Sequence, residues 1–163
     1  MNDNQIHLAT SVHADVTTWF FDDYLPTWVA VAAGTIARGP EFILDYWAAP
    51  LHFSTDGGGQ WLHDAPAVVR FLEETQSRLR ADGYARTNVP DHRVSVYHDN
   101  GAAIEVIWSR CRADNTEIER LAAHFELSRN EEGWRIVGIQ ISSTTADTLS
   151  EAWPSASTLG RLS

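Results

Sequence analysis

An imidazole and a carboxylate stand two residues apart, at His124 and Glu126, in the stretch RLAAHFELSRNEEGWRIVGIQIS (residues 120–142). Strand geometry puts Ala122, His124 and Glu126 on one side and Leu121, Ala123, Phe125 and Leu127 on the other. The polar set faces either a pocket or water, and alternation alone leaves both registers open. A second group of candidates lies in HFSTDGGG, where His52, Ser54 and Asp56 share a side and Leu51, Phe53 and Thr55 share the other. Carboxyl and imidazole groups both exchange protons near neutral pH when burial tunes them. The plainer readings are a turn aspartate before three glycines and a core histidine bonded to backbone or to Glu126. Tyr24 and Trp28 fall on one helical face, and Trp108 and Arg110 on one side of a later strand. These residues can line a pocket, although aromatics at such spacing also build cores. Seven Trp in a chain of 163 residues suit a site for flat or apolar ligands as well as plain packing.

Other chemistries have no footing. No HExxH, paired-Cys or carboxylate-rich calcium pattern occurs, so no metal is expected. GxSxG, P-loop and GxGxxG motifs are absent, and no cofactor is expected. His63-Asp64, Asp91-His92 and His98-Asp99 are adjacent pairs near turns, which read as caps rather than catalytic dyads. A net charge of −10 with scattered basic residues argues against nucleic acid and anionic membrane as partners. The apolar run TWFFDDYLPTWVAVAAG is broken by two Asp and a Pro, which argues against a membrane span. Cys111 is the single cysteine and reads as packing, which suits a reducing compartment. The N-terminal MNDNQIHLATSV lacks the pattern of a secretory signal, so a cytoplasmic protein is expected.

The elements that must position these groups follow from periodicity. Helical spacing covers 11–33, with a kink expected at Pro26 and a stop at Gly34. A short helix starts at Pro40 and ends at Pro50. Strands are expected at 51–55 and 60–63 around DGGGQ, and a third helix follows the cap residue Asp64. From Tyr84 the pattern becomes a meander: an edge or bulge at Pro90, a hairpin with Asn100 and Gly101 at positive φ, and strands near 102–112, 117–129 and 134–143. The expected layout is a flexible N-terminus (1–10), one domain (11–143) and a polar tail (144–163) that is disordered or docks through Trp153.

In element order, residues 11–143 resemble the NTF2-like superfamily, notably its SnoaL-like and ketosteroid-isomerase-like members. NEEGWRIVGIQIS looks like its closing strand and YWAAPLHFSTDGG like its first strand. The resemblance implies an α+β, cystatin-like cone in which three helices cover a curved, mainly antiparallel sheet. It also implies a conical pocket. Relatives keep a hydrogen-bonding acid near His124, a general-base Asp near Asp56, in some cases a Tyr donor on the first helix, and often a His at the place of Gln140. Asp91 and Arg93 weakly match the Asp/Arg pairing of epoxide-hydrolase-like relatives.

The resulting expectation is a cofactor-independent isomerase, dehydratase or cyclase acting on a small, mostly apolar carbonyl compound. Asp56, His124 and Tyr24 are its catalytic candidates, with Trp28, His52, Trp108, Arg110, Glu126 and Gln140 binding substrate. If the polar side of residues 120–142 faces the pocket, the apolar side forms an outer face, and a homodimer follows. The alternative is a non-catalytic dimeric small-molecule-binding or assembly domain.

Overall fold

Val12, Val16, Phe20, Tyr24 and Trp28 are buried and spaced four apart, and this spacing accounts for the form of the first helical segment. At 3.6 residues per turn a period of four drifts steadily around an α-helix. The computed structural model, which describes residues 3–154, corrects that drift with one wider π-turn. Helix α1 (Asp3–Thr18) passes through π-helical Trp19–Tyr24 into α2 (Leu25–Ala32), so the five side chains stay against the sheet. Pro26 follows directly on the π-helical residues, in the first turn of α2; the chain stays helical through Tyr24 and Leu25, so the irregularity expected at this proline takes the form of a change of helix type. The helix also begins at Asp3, within the stretch expected to be flexible.

Pro40–Asp45 forms a 3₁₀ helix. Pro50 does not end a helix; it lies within strand β1 (Trp47–Thr55), where the pairing with its parallel neighbour shifts register. Strand β2 (Gly58–Leu62) returns antiparallel to β1. Helix α3 (Ala65–Ala81) is capped by Asp64, whose Oδ1 accepts the Ala67 N–H at 2.9 Å. It stops before Gly83, at φ +82°, a conformation that glycine adopts without steric cost. Strands β3 (Tyr84–Asn88) and β4 (His92–His98) both pair with β5 (Gly101–Arg112), one after the other along its edge, with Pro90 between them. The β4–β5 turn is tight, but neither Asn100 nor Gly101 has positive φ, contrary to the expected turn type. Strands β6 (Glu117–Asn130) and β7 (Gly133–Ser143) complete the sheet, and Gly133 makes their turn at φ +106°.

The sheet runs β2-β1-β7-β6-β5-β3, with β4 beside β5; only β1 and β7 pair in parallel. This is the expected α+β arrangement: the helices that precede β3 cover one face of a curved, mainly antiparallel sheet.

The register of β6 answers the question raised by its sequence. Leu121, Ala123, Phe125 and Leu127 point into the core shared with the helices, together with Ile104, Val106 and Trp108 of β5 and Ile136 and Ile139 of β7. His124 and Glu126 therefore lie on the opposite face. A one-residue step exchanges the two faces of a strand, and burying four apolar side chains outweighs burying an imidazole and a carboxylate. The expected apolar outer face is thus absent, and the argument for a homodimer through it loses its premise.

The chain after β7 docks on that outer face. Helix α4 (Leu149–Ala152) lays Leu149, with Ala152 and Trp153, against Ile107 and Ala122. The Leu149 N–H donates to Asp91 Oδ2 at 2.8 Å, and Trp153 Nε1 donates to Ser142 Oγ at 3.1 Å. Residues 155–163 of the expected tail lie outside the described residues. No helix among the described residues is long and apolar enough to cross a membrane.

Candidate functional site

Between the inner face of the sheet and the helices lies a cavity of about 430 Å³. Trp28, Trp47, Phe53, Phe71, Trp108 and Phe125 give it an aromatic lining. Its size and apolar lining with a few polar groups are those of small-molecule sites in general. The aromatic lining is backed by packing: Phe20 stacks on Trp108, with centroids 6.1 Å apart and planes 3° from parallel, and meets the edge of Phe125 at 5.1 Å.

Tyr24, Trp28, Asp56, Trp108 and Arg110, of the residues singled out from sequence, come together at this cavity. Tyr24 is 4% exposed. Its hydroxyl oxygen accepts the Trp47 Nε1–H at 3.1 Å. Burial pushes its pKa well above that of a free phenol, and the Trp47 bond and nearby Arg110 offset only part of this. The hydroxyl therefore stays protonated, with its oxygen fixed and its own proton available to donate.

Arg110 is buried, with only 9% of its side chain exposed. Its guanidinium lies 5.0 Å from the Trp28 ring centroid, and Nη1 donates to Glu119 Oε1 at 2.7 Å. Arg78 of α3 reaches the same carboxylate from the other side, at 3.4 Å to each oxygen. Burial alone would raise the Glu119 pKa; the two guanidinium groups more than offset it and hold the carboxyl below its ordinary range. Arg110 Nε is sealed from solvent and has no acceptor among the described residues.

Asp56 stands at the cavity mouth, where β1 ends. It is exposed, and its Oδ2 accepts the Ser143 N–H at 3.0 Å, tying the ends of β1 and β7 together. The turn role and a place at the pocket thus coexist in one residue.

His52, His124, Glu126 and Gln140 are not part of this cavity. They lie on the outer face, around shallow depressions shared with Trp61, Glu105 and Trp153. His124 Nδ1 is 3.3 Å from Glu105 Oε1, and Arg93 Nε donates to Glu105 Oε2 at 2.6 Å. The His52 ring packs 5.0 Å from that of Trp61. The expectation that His124 works with Asp56 inside the cone is therefore corrected: His124 does not line the inner cavity, and the two residues share only the outer depression, which Asp56 also borders from the end of β1. Arg93 pairs with Glu105, and Asp91 receives Leu149, so neither forms the Asp/Arg pair suggested by the epoxide-hydrolase-like resemblance.

Glu119, Arg78 and Trp47 line the cavity but were not singled out from sequence. Glu119 had a usable signal. It shares the alternation of Leu121, Ala123 and Phe125, and the β5–β6 hairpin places it directly opposite Arg110. Arg78 had none, since its approach depends on how α3 crosses the sheet.

Residues 14–144 match the family described as NTF2-like protein (DUF6841). No curated protein sequence matches the chain. Among solved structures, an NTF2-like protein with a cystatin-like fold from Novosphingobium aromaticivorans superposes with a TM-score of 0.62 at 17% identity, covering 99% of this chain and 96% of its own. A provisionally named calcium/calmodulin-dependent protein kinase II association domain from Xanthomonas campestris gives 0.56 at 12%, covering 80% and 86%. A provisionally named ketosteroid isomerase from Parabacteroides distasonis gives 0.53 at 10%, covering 73% and 84%. At such identities the likeness carries the fold alone.

Proposed function

The chain belongs to the NTF2-like family DUF6841, and from that premise we propose that its cavity takes a small, mostly apolar carbonyl compound and processes it by acid–base chemistry without a cofactor. One observation carries the reading: a buried, protonated Tyr24 hydroxyl, fixed by Trp47, lines an aromatic cavity that also holds a guanidinium. Such donors stabilise an oxyanion, because they are oriented before charge develops and act where water is scarce. Asp56, at the mouth, is the base. Its carboxylate takes a proton from the carbon beside the carbonyl, Tyr24 donates to the enolate oxygen, and Asp56 returns the proton at the same or a conjugated carbon. Isomerisation, dehydration and cyclisation all begin from that enolate.

A second reading, a non-catalytic small-molecule-binding or assembly domain, draws on Asp56 itself. One of its carboxylate oxygens already serves the Ser143 backbone, and it stands exposed at the mouth instead of within the aromatic cavity. Proton–deuterium exchange at the α-carbon of small ketones and enones, followed by NMR, separates the two. The enzyme accelerates exchange, and Asp56→Asn reduces it by about 10²-fold. Binding without exchange, seen as quenching of the cavity tryptophans, supports the second reading. If neither occurs across the panel, the proposal fails.

A further inference from the structure

We propose that the ligand of this cavity carries a carboxylate, held by Arg110, on an aromatic or alicyclic ring that lies among the indoles. The inference rests on the small-molecule reading above and names its ligand class.

The chain carries a net charge of −10, yet the cavity gathers two arginines around one acid. Arg110 and Arg78 share Glu119, which leaves one positive charge in excess at that end. The other acid on the lining, Asp56, bonds to Ser143 on β7, two strands from Arg110 on β5. Every remaining lining residue is neutral.

Arg110 is also incompletely used. A guanidinium has five N–H donors, arranged so that its Nε/Nη2 edge matches the two oxygens of a carboxylate. Glu119 takes Nη1. Nε has no acceptor among the described residues, although it is cut off from water. Nη2 makes no hydrogen bond among the described residues and, unlike Nε, is not sealed, so it is the donor that first meets a ligand oxygen. The orphaned Nε beside it calls for an explanation in a native fold, and a carboxylate drawn onto this edge by a small shift of the side chain supplies one. Arginine suits this task better than lysine because it is planar, stays charged and stacks, as Arg110 does on Trp28. The aromatic wall then receives the ring of the acid, and Tyr24 remains free for a carbonyl elsewhere on it.

The test is isothermal titration calorimetry on the full chain with benzoate and cyclohexanecarboxylate, their matched amides, and cyclohexanone, with tryptophan quenching to report occupancy of the cavity. The acids are expected to bind at least about tenfold more tightly than the amides. Arg110→Met brings acid affinity down to the amide level, and Arg110→Lys restores part of the difference. Glu119→Gln tightens acid binding, because Arg110 loses its internal competitor; this arm does not require the Arg110 variants to fold. Amides that bind as well as acids, or an acid preference that survives Arg110→Met, overturn the carboxylate while leaving the small-molecule reading in place. If none of the acids, amides or cyclohexanone binds, both fall.

Discussion

Replacing Arg110 by Met should leave stability almost unchanged, although Arg110 is the one buried charged residue among the described residues. The substitution removes the 2.7 Å bond to Glu119, and hydrogen bonds to charged groups contribute about 1.5–3 kcal/mol. It also removes the contact over Trp28 at 5.0 Å, a cation–π interaction worth about 0.5–2 kcal/mol. Against these losses stand the unpartnered Nε, whose desolvation costs about 1–3 kcal/mol, and the remaining cost of keeping a guanidinium out of water. Glu119 is not stranded, since Arg78 still reaches it and 22% of its side chain is exposed. The methionine side chain keeps the apolar stem against Trp28. The opposing contributions cancel to within about 1 kcal/mol, which in a protein of this size shifts Tm by no more than about 4 °C. Calorimetric unfolding of the two proteins side by side is the assay. A loss of about 3 kcal/mol or more would make Arg110 a structural residue and refute the view that its unused donor is kept for a ligand.

Phe20→Ala should be far more damaging. The side chain is fully buried against Trp108 and Phe125, so a cost of about 3–5 kcal/mol in chemical denaturation is expected; a cost below about 1 kcal/mol would contradict the packing described. Glu119 makes stability depend on acid pH. Its folded pKa lies below the unfolded value of about 4.3, so its contribution is present above that value and is lost as pH falls through the lower folded one. Glu119→Gln should therefore flatten part of the decline in stability below about pH 4; an unchanged slope in acid unfolding would count against the ion pair. His124→Phe, on the outer face, should leave tryptophan quenching by cavity ligands as in the parent protein, whereas a loss of quenching would put His124 back in the pocket.

The order of elements was legible in the sequence because periodicity and turn residues act locally. The strands expected near 102–112, 117–129 and 134–143 occur within a residue or so of those limits. Asp64 caps α3 as its side-chain chemistry implies. The site was only half legible. Tyr24, Trp28, Trp108 and Arg110 declared themselves as aromatics and a cation on inward-facing positions. The face of β6 did not, because alternation defines two sides without saying which one the helices cover. The greater apolar content of Leu121, Ala123, Phe125 and Leu127 was the deciding physical term, and a resemblance that placed an acid near His124 pulled the other way. The Arg78–Glu119–Arg110 cluster depends on a helix crossing a hairpin, a relation with no short-range signature. The π-turn escaped for a different reason. Four-residue spacing is compatible with a helix, and only its persistence from Val12 to Trp28 required an extra residue in the turn.

The docked segment after β7 divides the outer face into unequal territories. Leu149 and Trp153 occupy the ground over Ile107 and Ala122, and Arg120 fastens Asp147 beside them. The stretch toward β2, with His52, Trp61 and Glu126, is covered by no other element among the described residues. A flat body laid across the whole width of the sheet, a second copy of this chain included, would overlap the segment. Such a body must shift toward the Trp61 edge, where a large indole stands 56% exposed, or lift a single helical turn held mainly by one apolar plug and a few hydrogen bonds. By occupancy alone, the segment and a centred, face-to-face pairing of this sheet exclude each other.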